Sequence, residues 1–396
     1  MRFRMTTRGM WACGLGVLAL ACDPDDGRGS GGGPIGTGIG SVGMTATDGD
    51  SMGDTSGDGG GTDSQGTGPG DGADADADDG ADGPKFDLGD APETTGDPPN
   101  CEELGNCQCT IPEHTPCDGG TGDPFRAMGL NCPGELQVNA STSGPVSAIG
   151  VRNSFGATNT YDPTEGSIYA VIGSGFVSDL DQVTPNGDSN AQPTHCNDDL
   201  GAFDPGGSLP APLDPSNVGG DCTSNPALVG SGDCSNTIQG QFDQGGSAND
   251  YVEMRFDVQV PPDIVSFSYD FAFSSTEWPF YAGSEFNDMY VGWLESENWT
   301  GNISFDAAGN PISLNAGFLE YADNGGNLPQ LAGTCMRQHA ATGWLTTTAS
   351  VTGGETITVV FGIFDLSDSI LDSYVFLDNF EWGCDPTGGP VTQPEG

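Results

Sequence analysis

The residues best equipped for chemistry in this chain are acids. Glu277, Glu285, Asn287 and Asp288 fall close together, and Asp365, Asp368 and Asp372 crowd a second short stretch. Hard oxygen donors from two loops at one rim of a fold suit Ca²⁺, which takes six to eight oxygens. Glu277, Asn287, Asp288 and Asp372 are the expected ligands of such a site. The opposing reading is solvated carboxylates and Asx turns that cap strand ends. Trp278, Phe280 and Tyr281 lie within the first stretch, on a turn rich in Pro and Gly. Bulky aromatics there either stack on the sugar ring of a ligand or plug the end of the fold.

Catalytic chemistry has thinner support. The histidines are His114, His195 and His339, and Lys85 is the single lysine. The sequence contains no H-E-x-x-H, no G-x-S-x-G and no Walker loop. No catalytic residue is assigned, and a non-enzymatic protein is expected. Carboxylate pairs of the glycosidase kind remain compatible with so acidic a chain. His195 and His339 read as single surface histidines.

The elements that must position these residues are strands. Val252, Met254, Phe256, Val258 and Val260 alternate with polar residues, and after Pro261-Pro262-Asp263 the pattern resumes at Val265, Phe267, Tyr269, Phe271 and Phe273. Period-two alternation of this kind predicts an antiparallel pair with one buried and one wetter face. Further strands are expected at Ala148–Val151, Ile168–Ile172, Met289–Trp293, Ile357–Ile363 and Phe376–Trp382, and no apolar pattern of helical period runs to helix length. The predicted fold is all-β, an antiparallel β-sandwich of jelly-roll type over 125–384, with the loop-rich stretch 184–246 absorbing its excess length.

The segment from Phe273 through Trp278-Pro279 and Gly283-Ser284 to Asn287-Asp288 resembles the motif of the choice-of-anchor L domain, a family of exported bacterial proteins. The strand before it and the run from Asp368 to Asn379 after it fit the same pattern. The sequence departs from it at Ser275-Thr276-Glu277-Trp278, where one glutamate stands for the family's two and Trp for Tyr. The resemblance implies an exposed β-rich domain carried on one of several kinds of surface anchor, and no particular chemistry.

Ahead of that domain the composition changes. Arg2, Arg4 and Arg8 precede an apolar run of about twelve residues, too short to span a bilayer, so 1–21 reads as a signal peptide. Leu18-Ala19-Leu20-Ala21-Cys22 resembles the lipobox of bacterial lipoproteins, which makes Cys22 the expected lipidation site. The alternative is an ordinary signal peptide cut near Ala21. Residues 22–100 form a Gly/Asp-rich linker: positions 23–100 hold 18 acids and 23 glycines. They cannot bury enough apolar surface to fold and are expected to be a disordered tether. The Gly38–Gly43 GxGxxG has no flanking strand or helix, and Asp74–Asp78 lacks the glycine and glutamate of a calcium loop.

Ten cysteines remain: Cys101, Cys107, Cys109, Cys117, Cys132, Cys196, Cys222, Cys234, Cys335 and Cys384. An even number in an exported chain predicts disulfides. Cys222 with Cys234 and Cys335 with Cys384 are the expected local pairs. Segment 101–124 reads as Cys-rich and 385–396 as a disordered tail. The 57 acids against nine basic residues, a formal −48, exclude nucleic acid as a partner. What remains is a lipid-anchored, extracytoplasmic, surface-displayed protein for adhesion or ligand capture, with an extracellular glycan or protein ligand. The alternative is a carbohydrate-binding or carbohydrate-active module on the same scaffold, or a structural envelope component.

Overall fold

The computed structural model describes residues 109–182, 196–322 and 328–395. The chain divides into two units, Met1–Phe86 and Asp87–Gly396, and every described residue belongs to the second. The signal peptide, Cys22, the whole 22–100 tether, Cys101, Cys107 and His195 lie outside the described residues.

Two antiparallel sheets form the body. The first takes β1 (Asn139–Ser143), β4 (Ala248–Gln259), β11 (Thr356–Leu366), β6 (Met289–Glu295) and β7 (Thr300–Asn302), in that order. The second runs β13 (Val391–Pro394), β10 (Leu345–Ser350), β5 (Ser266–Ser275), β12 (Ser373–Gly383), β3 (Tyr169–Gly173), β2 (Ile149–Arg152), with β8 (Tyr321–Ala322) and β9 (Ala340–Ala341) added beside β5. This is the all-β, disulfide-stapled architecture the alternation predicts.

The expected pairing of the two long consecutive strands is not found. β4 pairs with β1 and β11, whereas β5 pairs with β10 and β12. Pro261-Pro262-Asp263 carries the chain from one sheet to the other instead of turning it back in plane. Alternation specifies which face is buried, not which strand lies alongside. The inward faces then meet across the sandwich: Val252, Met254, Phe256 and Val258 of β4 and Phe361 of β11 pack in one core with Phe267, Tyr269, Phe271 and Phe273 of β5.

The outer faces are covered too. Helix α2 (Ile238–Gly245), which follows the one-turn α1 (Pro124–Ala127), brings Ile238 and Phe242, with Leu209 and Leu213, onto Tyr251, Val291, Trp293 and Phe364 of the first sheet. Phe155, Tyr161, Leu180, Leu331 and Met336 cover Tyr169, Ala272, Tyr374 and Phe376 of the second. These layers account for the length beyond a plain sandwich. They also leave few wet sheet positions. Glu253, for example, is buried and held by Arg255 at 2.6 and 2.8 Å.

Among the described residues four disulfides staple the unit: Cys109–Cys384, Cys117–Cys132, Cys196–Cys335 and Cys222–Cys234. The local Cys222–Cys234 pair is as expected. Cys335 and Cys384 are not bonded to each other, because they sit at opposite ends of β12. Cys335 joins Cys196, whose carbonyl accepts from the Asp372 N–H just before that strand, and Cys384 follows its last residue. Residues 385–395 are not a loose tail either, since β13 pairs with β10 from Thr348↔Val391 to Leu345↔Pro394.

Candidate functional site

Two places concentrate polar side chains, one at each end of the β5–β12 pair. Ser373 pairs with Ser275 at one end and Trp382 with Phe267 at the other. Nine residues at ~3.3 Å each put these ends about 30 Å apart. A β-bulge marks each. Near the Ser373 end, β4 has an extra residue opposite β11, between Ile363↔Val252 and Asp365↔Asn249, and Asp250 there takes φ +47°. Near the Trp382 end, β12 has an extra residue between Asp378 and Glu381, and Asn379 takes φ +50°. Bulges re-aim side chains and are common beside functional sites.

The sequence-predicted acids meet at the Ser373 end. Glu277, Asp288, Asp365 and Asp372 are all buried there. Asp288 accepts from the Ser373 hydroxyl at 2.5 Å and the Leu366 N–H at 3.4 Å. Asp372 accepts from the Asp198 N–H at 2.9 Å and the Tyr374 hydroxyl at 3.0 Å. It presses so close to Gly175 that a Cβ there would lie 1.7 Å from its Oδ2. Asp365, by contrast, has no N–H donor at either oxygen among the described residues, only the Ser174 hydroxyl and the Asp288 carboxyl acting on it, and Glu277 has no partner at Oε2. Burial, followed by the charges of Asp288 and Asp368, pushes the Glu277 carboxyl up to about 10. Burial and the neighbouring Asp288 and Asp372 raise Asp365 well above the carboxylate range.

Asn287 does not belong to this group. Its amide N–H donates to Gln241 Oε1 at 2.9 Å and its carbonyl accepts from the Asn315 N–H at 2.9 Å, so it ties the loop to α2 and to a neighbouring turn. The three aromatics are not gathered onto one platform. Phe280 is 59% exposed, Tyr281 packs edge-on against Phe286 at 5.3 Å, and Trp278 is half-buried. The Trp278 carbonyl accepts from Nδ1 of His339 at 2.6 Å, and His339 is buried, not on the surface.

The Trp382 end holds a feature that sequence reasoning missed. A groove of about 470 Å³ has Ile111, Leu136, Phe380 and Trp382 among its apolar lining residues and Glu113, His114, Glu135 and Glu381 among its polar ones. The wall carrying Ile111, His114 and Leu136 is held to β12 by Cys109–Cys384 and by the Phe380 N–H, which donates to the Met128 carbonyl at 2.9 Å. His114 is clamped between two carboxylates: Nδ1 lies 2.7 Å from Glu135 and Nε2 lies 2.6 Å from Glu165. Burial opposes its charge, but these two acids outweigh burial and raise the imidazole above its ordinary value. Glu135 also accepts from the Thr115 N–H at 3.0 Å.

Metal binding at the groove does not fit the donor set. Among the described residues, His114, Cys132 and Glu135 alone place three ligand atoms within 4.8 Å of one another. Cys132 is bonded to Cys117, and a disulfide sulfur is not a thiolate ligand. Also among the described residues, no helix is long and apolar enough to cross a membrane. The four disulfides assign the unit to an oxidising, extracytoplasmic compartment.

No family model matches the chain. No curated protein matches it either. Among solved structures it is similar to TmCBM61 in complex with β-1,4-galactotriose, at 9% identity and a TM-score of 0.22, over 62% of this chain and 89% of that one. A likeness that slight carries no argument about what this chain binds.

Proposed function

We propose that this chain is a non-enzymatic extracytoplasmic binding protein, lipid-anchored through Cys22 and displayed on the 22–100 tether for adhesion or ligand capture. We also assign it to the choice-of-anchor L domains, on the Phe273–Asp288 motif alone. The groove between the 109–138 segment and the end of β12 carries the binding reading. Concave sites with a mostly apolar lining and a few convergent polar groups are the usual form of ligand sites. Here an indole and aliphatic side chains line the groove together with a set of carboxylates. That combination suits a ligand with an apolar face and hydrogen-bond donors along its edge. A sugar has both, which keeps the glycan reading as the second one.

The non-enzymatic reading is supported by how the groove's polar groups are engaged. Both oxygens of Glu135 already accept hydrogen bonds, and His114 is held on both sides. No hydroxyl or thiol nucleophile is among the residues that line the groove. The test is a glycan array run beside a reducing-sugar release assay, on the parent and on Glu381→Gln and Trp382→Ala. Binding that Glu381→Gln weakens severalfold, without sugar release, supports the proposal. Hydrolysis that vanishes on changing one carboxylate overturns it. The anchor is tested by Cys22→Ser, which should release the protein from membranes; an unlipidated mature N-terminus in the parent by intact mass would refute it.

A further inference from the structure

The acid cluster at the opposite end of β12 supports an inference that does not depend on the groove. Asp365 is 0% exposed and Glu277 is 1% exposed. A carboxylate taken out of water without a counter-charge or hydrogen bonds is strongly disfavoured, so such groups acquire a proton or a cation. Protons alone leave this cluster unsatisfied. The acid whose charge acts most on Asp365 is Asp288, whose two oxygens already take the Ser373 hydroxyl and the Leu366 N–H and which can also accept from a protonated Asp365. One proton shared between Asp365 and Asp288 would still leave the second oxygen of Asp365 and Oε2 of Glu277 without partners.

We propose that a divalent cation of the Ca²⁺ class binds between Asp288 and Asp365, with Glu277 as the third carboxylate. Three elements supply this set: the turn after β5, the residue before β6 and the end of β11 opposite the β4 bulge. It differs from the set read from sequence. Asp365 enters because no N–H group engages its oxygens. Asn287 leaves because its amide is spent on Gln241 and Asn315, and Asp372 because it is spent on Asp198 and Tyr374. Half-buried Asp368, whose charge acts on both Glu277 and Asp288, supplies a polar way in from solvent. The carboxylates do not yet converge within 4.8 Å of one another. The cation therefore draws the site together, as ligand carboxylates separated by mutual repulsion require.

The test uses the full mature chain, stripped with chelator and titrated with CaCl₂ against NaCl at matched ionic strength. Melting temperature and calorimetric binding are followed for the parent, Asp365→Asn and Glu277→Gln. The parent should gain several degrees, saturably, with about one Ca²⁺ bound per chain, as expected when a ligand binds only the folded state. Asp365→Asn should melt at or above the metal-free parent, because a buried charge has been removed, and should show no Ca²⁺ response. That combination separates a lost site from a lost fold. An equal rise with NaCl, or a full Ca²⁺ response retained by Asp365→Asn, would overturn the proposal. The groove is assayed separately, so failure here leaves the ligand-capture reading standing, and the reverse also holds.

Discussion

Asp118 and Asp365 are both buried aspartates, and they sit at opposite ends of the sandwich. Asp118, beside the groove, receives the N–H groups of Ser167 and Ile168 and the Ser167 hydroxyl on one oxygen. Burial works against its charge, yet these donors prevail and hold its carboxyl below the usual range. Asp365 receives no N–H donor, only the Ser174 hydroxyl opposing the shift, and burial with neighbouring acids drives it the other way. Asp365 lies deeper, at 0% exposed against 6%, and it also has fewer donors. A carboxylate that accepts two or three N–H bonds is stabilised in its charged form, whereas an undonated one must find a proton or a cation. At the groove end the acids are already accommodated and can serve as fixed hydrogen-bond acceptors. At the other end they are not, which is why the two ends should respond to different ligands.

The largest expected effect comes from cutting the groove end loose. Cys109 and Cys384 are 275 positions apart, and on the chain-entropy model closing a loop that long is worth up to about 5–6 kcal/mol, against about 3 kcal/mol for a span of 12. Cys109→Ser combined with Cys384→Ser should lower the urea midpoint more than removal of Cys222–Cys234. It should also abolish ligand binding in the groove while leaving any Ca²⁺ response in place. Loss of both responses together would mean that the two ends are coupled.

A smaller effect is expected inside the groove wall. Gly129 has φ +83°, and a Cβ there would stand 2.7 Å from Glu165 Oε2 and 3.2 Å from His114 Nε2. Gly129→Ala therefore carries a left-handed backbone cost of about 1–2 kcal/mol, and it forces the His114–Glu165 contact apart. Chemical denaturation should register the first, and a changed His114 ring resonance the second.

The sequence made the strands legible because alternation survives whatever the partners are. It could not show that β4 and β5 belong to different sheets, since the same residues face inward in either arrangement. The acid cluster was half legible. Glu277, Asp288 and Asp372 share it as expected, but the bulge opposite Asp365 is a matter of register, which composition does not encode. The groove was not legible at all. Its walls come from Ile111–Val138 and Phe380–Trp382, and the one long-range signal joining them was a cysteine pair hidden among many possible pairings.

The His114 clamp gives the comparison a pH signature. A histidine whose folded pKa is raised adds stability in full below its unfolded value near 6.5, and loses it as pH climbs through the folded value. Glu135 and Glu165 face this ring, while Glu381 and Asp118 act on Glu165. An NMR titration should place the ring midpoint above 6.5, and His114→Gln should remove the part of the stability loss that sets in above that pH. A midpoint at or below 6.5 would show that burial, not the clamp, controls the ring.

The smallest effect is expected at Phe280, and its smallness is informative. Phe280 is 59% exposed on the turn that follows β5, close in sequence to the cation end and remote from the groove. An aromatic that plugged the sandwich would be buried and would cost about 3–5 kcal/mol to remove. One that stands in solvent should change stability by no more than about 0.5 kcal/mol. Phe280→Ser should therefore melt with the parent and keep the groove's ligand affinity unchanged. If ligand affinity falls tenfold while the melting temperature holds, recognition belongs to the aromatic turn beside the acids. The functional contrast between the two ends would then be reversed, with capture at the Glu277 turn and the His114 clamp serving only to hold the 109–138 segment in place.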